Sequence, residues 1–133
     1  FGEFTNVKSL SKAIDFVNEI NHPVAGILID LMHINRSKEN IPDLNNPIFS
    51  YIQGCDFYQS SKKLTGDNYI KAAIDGRCCL GHGEAIKEEI VKMCKSNLDV
   101  SLEIRSKDLR DKFPDPYKRA SYIFKNCIRE DYL

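Results

Sequence analysis

Short extended runs that hand over to helix-patterned runs recur along this chain, and that alternation limits the fold more than any other feature. Phe1 to Phe4 reads as the stub of a first strand. Leu10, Ala13, Ile14, Val17 and Ile20 then recur at helical spacing, with Ser9 as N-cap and Asn21-His22-Pro23 as the stop. Val24 to Ile29 is almost wholly apolar and ends at Asp30, the pattern of a strand buried on both faces. A third strand, Ile48 to Ile52, runs up to Gln53. A long polar segment follows from Asp56 to Gly83, punctuated by Gly66, Gly76, Gly81 and Gly83, and is expected to be loop. Ile86, Ile90, Met93 and Cys94 mark one helix face, and Val100 to Ile104 is the fourth strand. Asp115 followed by Pro116 opens a last helix, whose apolar face is Ala120, Ile123, Phe124 and Cys127.

Strands alternating with helices imply right-handed crossovers and a parallel sheet. Four such units in 133 residues amount to half of an eight-unit barrel, which takes roughly 250 residues. An open doubly wound sheet shares the alternation. No glycine-rich turn follows the first or second strand to hold a phosphate, so the dinucleotide reading is weak. The expected class is α/β, one domain over residues 1–133, built as half of a barrel.

Charge and cysteine content exclude other classes. The 19 basic and 19 acidic residues balance, which leaves no electrostatic footprint for nucleic acid or an anionic membrane. No apolar run approaches the roughly 18–20 residues of a membrane span, and a cytoplasmic protein is expected. Cys55, Cys78, Cys79, Cys94 and Cys127 are odd in number and form no CxxC, so reduced thiols are expected rather than a disulfide frame or a zinc ribbon. Phe1 in place of Met, inside a strand-like stretch, reads as part of something longer.

In barrels, chemistry sits at the C-terminal ends of the strands. Those ends carry Glu3, then Asp30 with His33, then Gln53 with Asp56, then Glu103. A carboxylate alone is more often held by a neighbouring Lys or Arg. Oxygen ligands on four strands at one level point instead to a divalent ion: Mn²⁺, Mg²⁺, Co²⁺ or Zn²⁺. Tyr51, Phe57 and Tyr58 lack a basic stripe and read as core or pocket lining. Lys62, Lys63 and Lys71 read as a solvated loop face, Cys78-Cys79 as packing, and His82 as a surface loop residue.

Several motifs, taken in order, resemble the xylose-isomerase-like barrel superfamily, in which sugar phosphate isomerases and epimerases are grouped with apurinic-site endonucleases. Phe1-Gly2-Glu3-Phe4 is similar to the family's strand ending in a glutamate ligand, and Asp30-Leu31-Met32-His33 to its D-x-x-H motif. Gln53 stands where many members have a His ligand and hydroxypyruvate-isomerase-like ones have Gln. Arg77 with Gly81-His82-Gly83-Glu84 resembles the R-x-x-P-G-x-G-E segment, with Leu80 in place of the proline. Ser101-Leu102-Glu103 resembles the last strand.

The resemblance implies the C-terminal half, the last four βα units, of a (β/α)8 TIM barrel. It implies a metal shell of Glu3, Asp30, Gln53 and Glu103, with Glu3 and Glu103 as catalytic acid/base and His33 and Arg77 on substrate oxygens. The implied reaction is isomerisation or epimerisation of a sugar or sugar phosphate, by proton transfer through an enediolate that the metal stabilises. The implied partners are that small molecule and either the missing N-terminal half or a second copy of the chain; nucleic acid and membrane are not expected. A dehydratase of the same fold needs nearly the same residues. An abasic-site nuclease would need more than the three histidines present (His22, His33 and His82), and a half-barrel that is non-catalytic by itself also stays open.

Overall fold

The structure is a computed structural model that describes residues 5–58 and 64–127. The expected first strand, with Glu3, and the Lys62-Lys63 pair lie outside the described residues. The order of elements is α1 Leu10–Ile20, β1 Ile27–Asp30, α2 Leu31–Ser37, β2 Phe49–Gly54, β3 Asp56–Phe57, α3 Gly66–Asp75, β4 Arg77–Cys78, α4 Lys87–Cys94, β5 Val100–Leu102, α5 Lys107–Lys112 and α6 Pro116–Cys127.

Local chemistry sets most helix ends. Ser9 caps α1 by accepting from the Lys12 N–H, and Asn21 closes it in the left-handed region at φ 46°. The carboxylate of Glu39 reaches back to accept twice from the Leu10 N–H, at 2.9 and 3.0 Å, which ties α1 to the segment after α2. Asp115 accepts from the backbone of Tyr117 and Lys118, so Pro116 opens α6 as its pairing with Asp115 predicts. The face of α6 differs from expectation. Cys127 is buried, but Ala120 is exposed and Phe124 is 67% exposed, so only part of the apolar stripe is covered.

β1, β2 and β5 form one parallel sheet in the order β1-β2-β5. β1 begins at Ile27 rather than Val24, because Ala25 turns back onto the His22 carbonyl and leaves Val24 85% exposed. The register pairs Leu28 with Tyr51, Ile29 with Ile52, and Asp30 with Gln53. Side chains alternate across a strand, so Ile29 and Ile52 share one face while Leu28, Asp30, Tyr51 and Gln53 share the other. The first face is the core, where Ile29, Ile52, Leu31, Met32, Ile34, Ile90 and Met93 are almost fully buried. The second face is partly open: Tyr51 is 39% exposed, and Ser101 on β5 is exposed as well. β1, the strand expected to be buried on both faces, has Ile27 and Ile29 buried on the core face and Leu28 half-buried on the other, with Asp30 buried at its end.

The segment from Asp56 to Gly83 is not a loop. β3 and β4 pair antiparallel, Asp56 with Cys78 and Phe57 with Arg77, and α3 lies between them. α3 runs against the loop expectation: Ile70, Ala73 and Ile74 recur at helical spacing, but Gly66 and Gly76 at its two ends read as loop punctuation. All five cysteines are free thiols. No helix among the described residues is long and apolar enough to cross a membrane.

Candidate active site

The C-terminal ends of the parallel strands open onto a cavity of about 310 Å³ lined by Leu28, Asp30, His33, Gln53, Arg77 and Glu103. Sequence reading named all of these except Leu28, which looks like ordinary strand core until the register turns it to the open face. Asp30 ends β1, Gln53 sits beside it near the end of β2, and Glu103 follows β5 with its N–H donating to the Gly54 carbonyl.

Arg77 is the centre of the arrangement. Its Nη2 donates to Asp30 Oδ2 at 2.9 Å and approaches Glu103 Oε2 at 3.2 Å. Nη1 donates to Cys55 Sγ at 3.1 Å and Nε to the Ala73 carbonyl at 3.0 Å. Its backbone N–H donates to the Arg105 carbonyl. The side chain is only 4% exposed. Burial works against the guanidinium's charge, but the bond to Asp30 and the neighbouring Cys55 outweigh it and hold the proton more firmly than usual. Burial pushes the Cys55 thiol up to about 11.

Asp30 has two tasks. Oδ1 accepts from the N–H groups of Met32 and His33, capping α2, while Oδ2 faces Arg77. The cap nucleates a helix that sequence reading did not place, and it brings His33 to the cavity wall. His33 Nε2 stands 4.0 Å from Asp30 Oδ2, too far for a hydrogen bond. Burial lowers its pKa to about 4 against the pull of Asp30, so the imidazole is neutral near pH 7. Its Nδ1 is buried without a hydrogen-bond partner, as is Nη1 of Arg36 one turn further along α2.

Asp56, read from sequence as a fifth strand-end oxygen, does not line the cavity. Its carboxylate accepts from the backbone of Phe57, Gly83 and Ala85. It thereby pins the loop carrying the G-x-G-E residues against β3, and the Glu84 N–H adds a bond to the Phe57 carbonyl. Gly83 lies so close that a Cβ there would meet Asp56 Oδ1 at 2.4 Å and the Phe57 carbonyl at 2.5 Å. His82 is exposed on that loop.

Two carboxylate oxygens from non-adjacent strands thus converge within 3.2 Å of one cationic nitrogen, with the Gln53 amide on the strand between them. Asp30, Gln53 and Glu103 make an all-oxygen donor set, and the guanidinium already stands in for a cation there. That fits a hard divalent ion. Carboxylate and imidazole groups do not complete such a site by themselves: among the described residues no group of three or more His, Cys, Asp or Glu is placed to hold a metal.

No protein-family model and no curated protein matches the sequence. Among solved structures the fold is similar to the crystal structure of the IolI protein with a bound zinc atom, at TM-score 0.68 and 16% identity. The match covers 90% of this chain and 42% of that one, so this chain spans less than half of the IolI protein's length.

Proposed function

We propose that this chain is half of a TIM barrel bearing a divalent-metal site for isomerisation or epimerisation of a sugar or sugar phosphate. The observation that carries the reading is the convergence of Asp30 and Glu103 on one cationic position, beside Gln53 and His33, at the C-terminal ends of parallel strands. Ligands of parallel α/β folds bind at that edge. The fold likeness to a zinc-bound protein supports the same reading.

A divalent ion held by Asp30, Gln53 and Glu103, with Glu3 from outside the described residues, would supply Lewis-acid polarisation of a carbonyl and its neighbouring hydroxyl. Glu103 is half-buried at the cavity wall, and the family resemblance assigns to Glu103 and Glu3 together the removal of the carbon-bound proton and its return to the neighbouring carbon. His33, neutral, offers a hydrogen bond to a substrate hydroxyl. Arg77 holds both carboxylates at fixed positions and faces substrate oxygens from the same wall.

Two measurements test this. The purified protein should contain about one Mn, Co, Zn or Mg per chain by plasma mass spectrometry, and a Glu3→Ala/Glu103→Ala variant should lose it. Glu103→Gln should keep the fold and lower turnover of the responsive ketose or aldose by about 10²–10⁴-fold, the contribution of a positioned acid/base group. Retained turnover would remove Glu103 from the mechanism.

The half-barrel part of the proposal has its own consequence. Among the described residues the sheet has a partly open face and two edge strands, β1 and β5. Such surfaces favour association. Gel filtration of the chain should give a dimer, or a complex with a separate N-terminal half; a stable monomer at micromolar concentration counts against the half-barrel.

A further inference from the structure

We propose that Arg77 is the resident cation of this site: it holds Asp30 and Glu103 together in the ion-free protein and opposes the ion those same carboxylates would share. The inference rests on the metal-site reading above and adds what sets the site's affinity.

The geometry makes Arg77 a bridge rather than a rim contact. Asp30 ends β1 and Glu103 follows β5, with β2 between them. Neighbouring strands are about 4.8 Å apart, so the two backbones stand two strand spacings from each other. The carboxylates nonetheless approach the same Nη2. Asp30 is 5% exposed, and a desolvated carboxylate needs a partner charge. Arg77 supplies it to both.

Nor is the guanidinium free to swing aside. Its Nε and Nη1 are tied to the Ala73 carbonyl and the Cys55 sulfur, and its backbone N–H to the Arg105 carbonyl. Its positive charge therefore stays beside any ion that enters. A fixed like charge in a water-poor wall weakens cation binding, since screening there is slight. The same charge keeps two carboxylates assembled when no ion is present. Removing it should therefore move ion-free stability and ion affinity in opposite directions, whereas a residue with a purely structural role would move only the first.

Mn²⁺ is the suitable probe, because hard ions prefer oxygen donors and neglect the nearby thiol of Cys55. Free Mn²⁺ is titrated by paramagnetic resonance against wild type, Arg77→Met and Arg77→Lys, with thermal melting of each protein in parallel. Arg77→Met should melt below wild type without ion, gain more in melting temperature on adding Mn²⁺, and bind Mn²⁺ at least ten-fold more tightly, about 1.4 kcal/mol. Arg77→Lys keeps the charge and should stay within about three-fold of wild type, because the effect is electrostatic. Equal or weaker binding by a folded Arg77→Met overturns the inference and leaves the metal site standing. Absence of Mn²⁺ binding in all three proteins overturns both. If Arg77→Met does not fold, the wild type decides: the Arg77 Nε–H resonance, assigned by its loss in Arg77→Lys, should shift on adding diamagnetic Mg²⁺, and an unmoved resonance overturns the inference.

Discussion

Asp30→Ala should lower the unfolding free energy by about 4–6 kcal/mol, of which about 3–5 is the range for removing one partner of a buried ion pair. Two losses combine. Arg77 Nη2 loses its 2.9 Å acceptor in a setting where the guanidinium is only 4% exposed. The N–H groups of Met32 and His33 lose the cap of α2, which costs about 1 kcal/mol by itself. The sum is a large fraction of the roughly 5–15 kcal/mol that holds a domain folded. Asp30→Asn keeps an oxygen for the cap and gives up the charge, so it should fall between alanine and wild type. In urea denaturation followed by circular dichroism, Asp30→Ala/Arg77→Met should be less destabilised than the two single losses added together, because the second change removes the cation that the first leaves unpaired. Strict additivity, or a loss below about 1 kcal/mol, where ordinary substitutions fall, would mean that Glu103 alone suffices for Arg77.

What the sequence disclosed and what it withheld divide along physical lines. Helix ends governed by a neighbouring side chain were legible: Ser9 and Asn21 around α1, and Asp115-Pro116 before α6. So were Asp30, Gln53 and Glu103 as residues of the cavity wall, although only Asp30 and Gln53 stand at one level: Gln53 pairs with Ser101, and Glu103 lies two residues further along. α2 was legible in principle and passed over. Asp30 is an N-cap residue by type, and Leu31 and Ile34 follow at helical spacing, yet the same aspartate also reads as a ligand. It does cap the helix, and it lines the cavity as well.

Contacts far apart in sequence could not be read. Nothing local tells Arg77 that its acceptor lies 47 residues earlier or that a thiol 22 residues earlier takes Nη1. β3 and β4 have two residues each, and α3 buries none of its residues. Two-residue strands carry no hydrophobic period to detect; α3 does carry one, in Ile70, Ala73 and Ile74, between glycines that read as loop punctuation. The partial exposure of α6 has a related origin: spacing defines an apolar stripe, while only the neighbouring structure decides whether anything covers it.

Asp56 gives the second large effect. It lies past the end of β2, in β3, and belongs to the antiparallel pair with β4 rather than to the parallel sheet that holds Gln53. There Oδ1 accepts from Phe57 and Ala85, and Oδ2 from Gly83, with the residue 1% exposed. Asp56→Ala would leave three backbone donors without acceptors, each costing about 1–3 kcal/mol where water does not replace the partner. The G-x-G-E loop would detach from β3 before the sheet melts, since the remaining described backbone bond between them there is Glu84 N–H to the Phe57 carbonyl. Amide exchange at Gly83 and Ala85 should therefore accelerate by at least about 100-fold, equivalent to roughly 2.7 kcal/mol of local opening. Asp56→Asn should be milder, because its amide oxygen still accepts from Phe57 and Ala85 while its nitrogen faces the Gly83 N–H, so exchange should rise chiefly at Gly83. A folded Asp56→Asn protein should keep the Mn²⁺ affinity proposed for the cavity, because Asp56 does not line it and its carboxylate is taken up by the loop. Unchanged exchange together with lost Mn²⁺ binding would reverse the assignment, making Asp56 a ligand of the ion instead of the anchor of the loop.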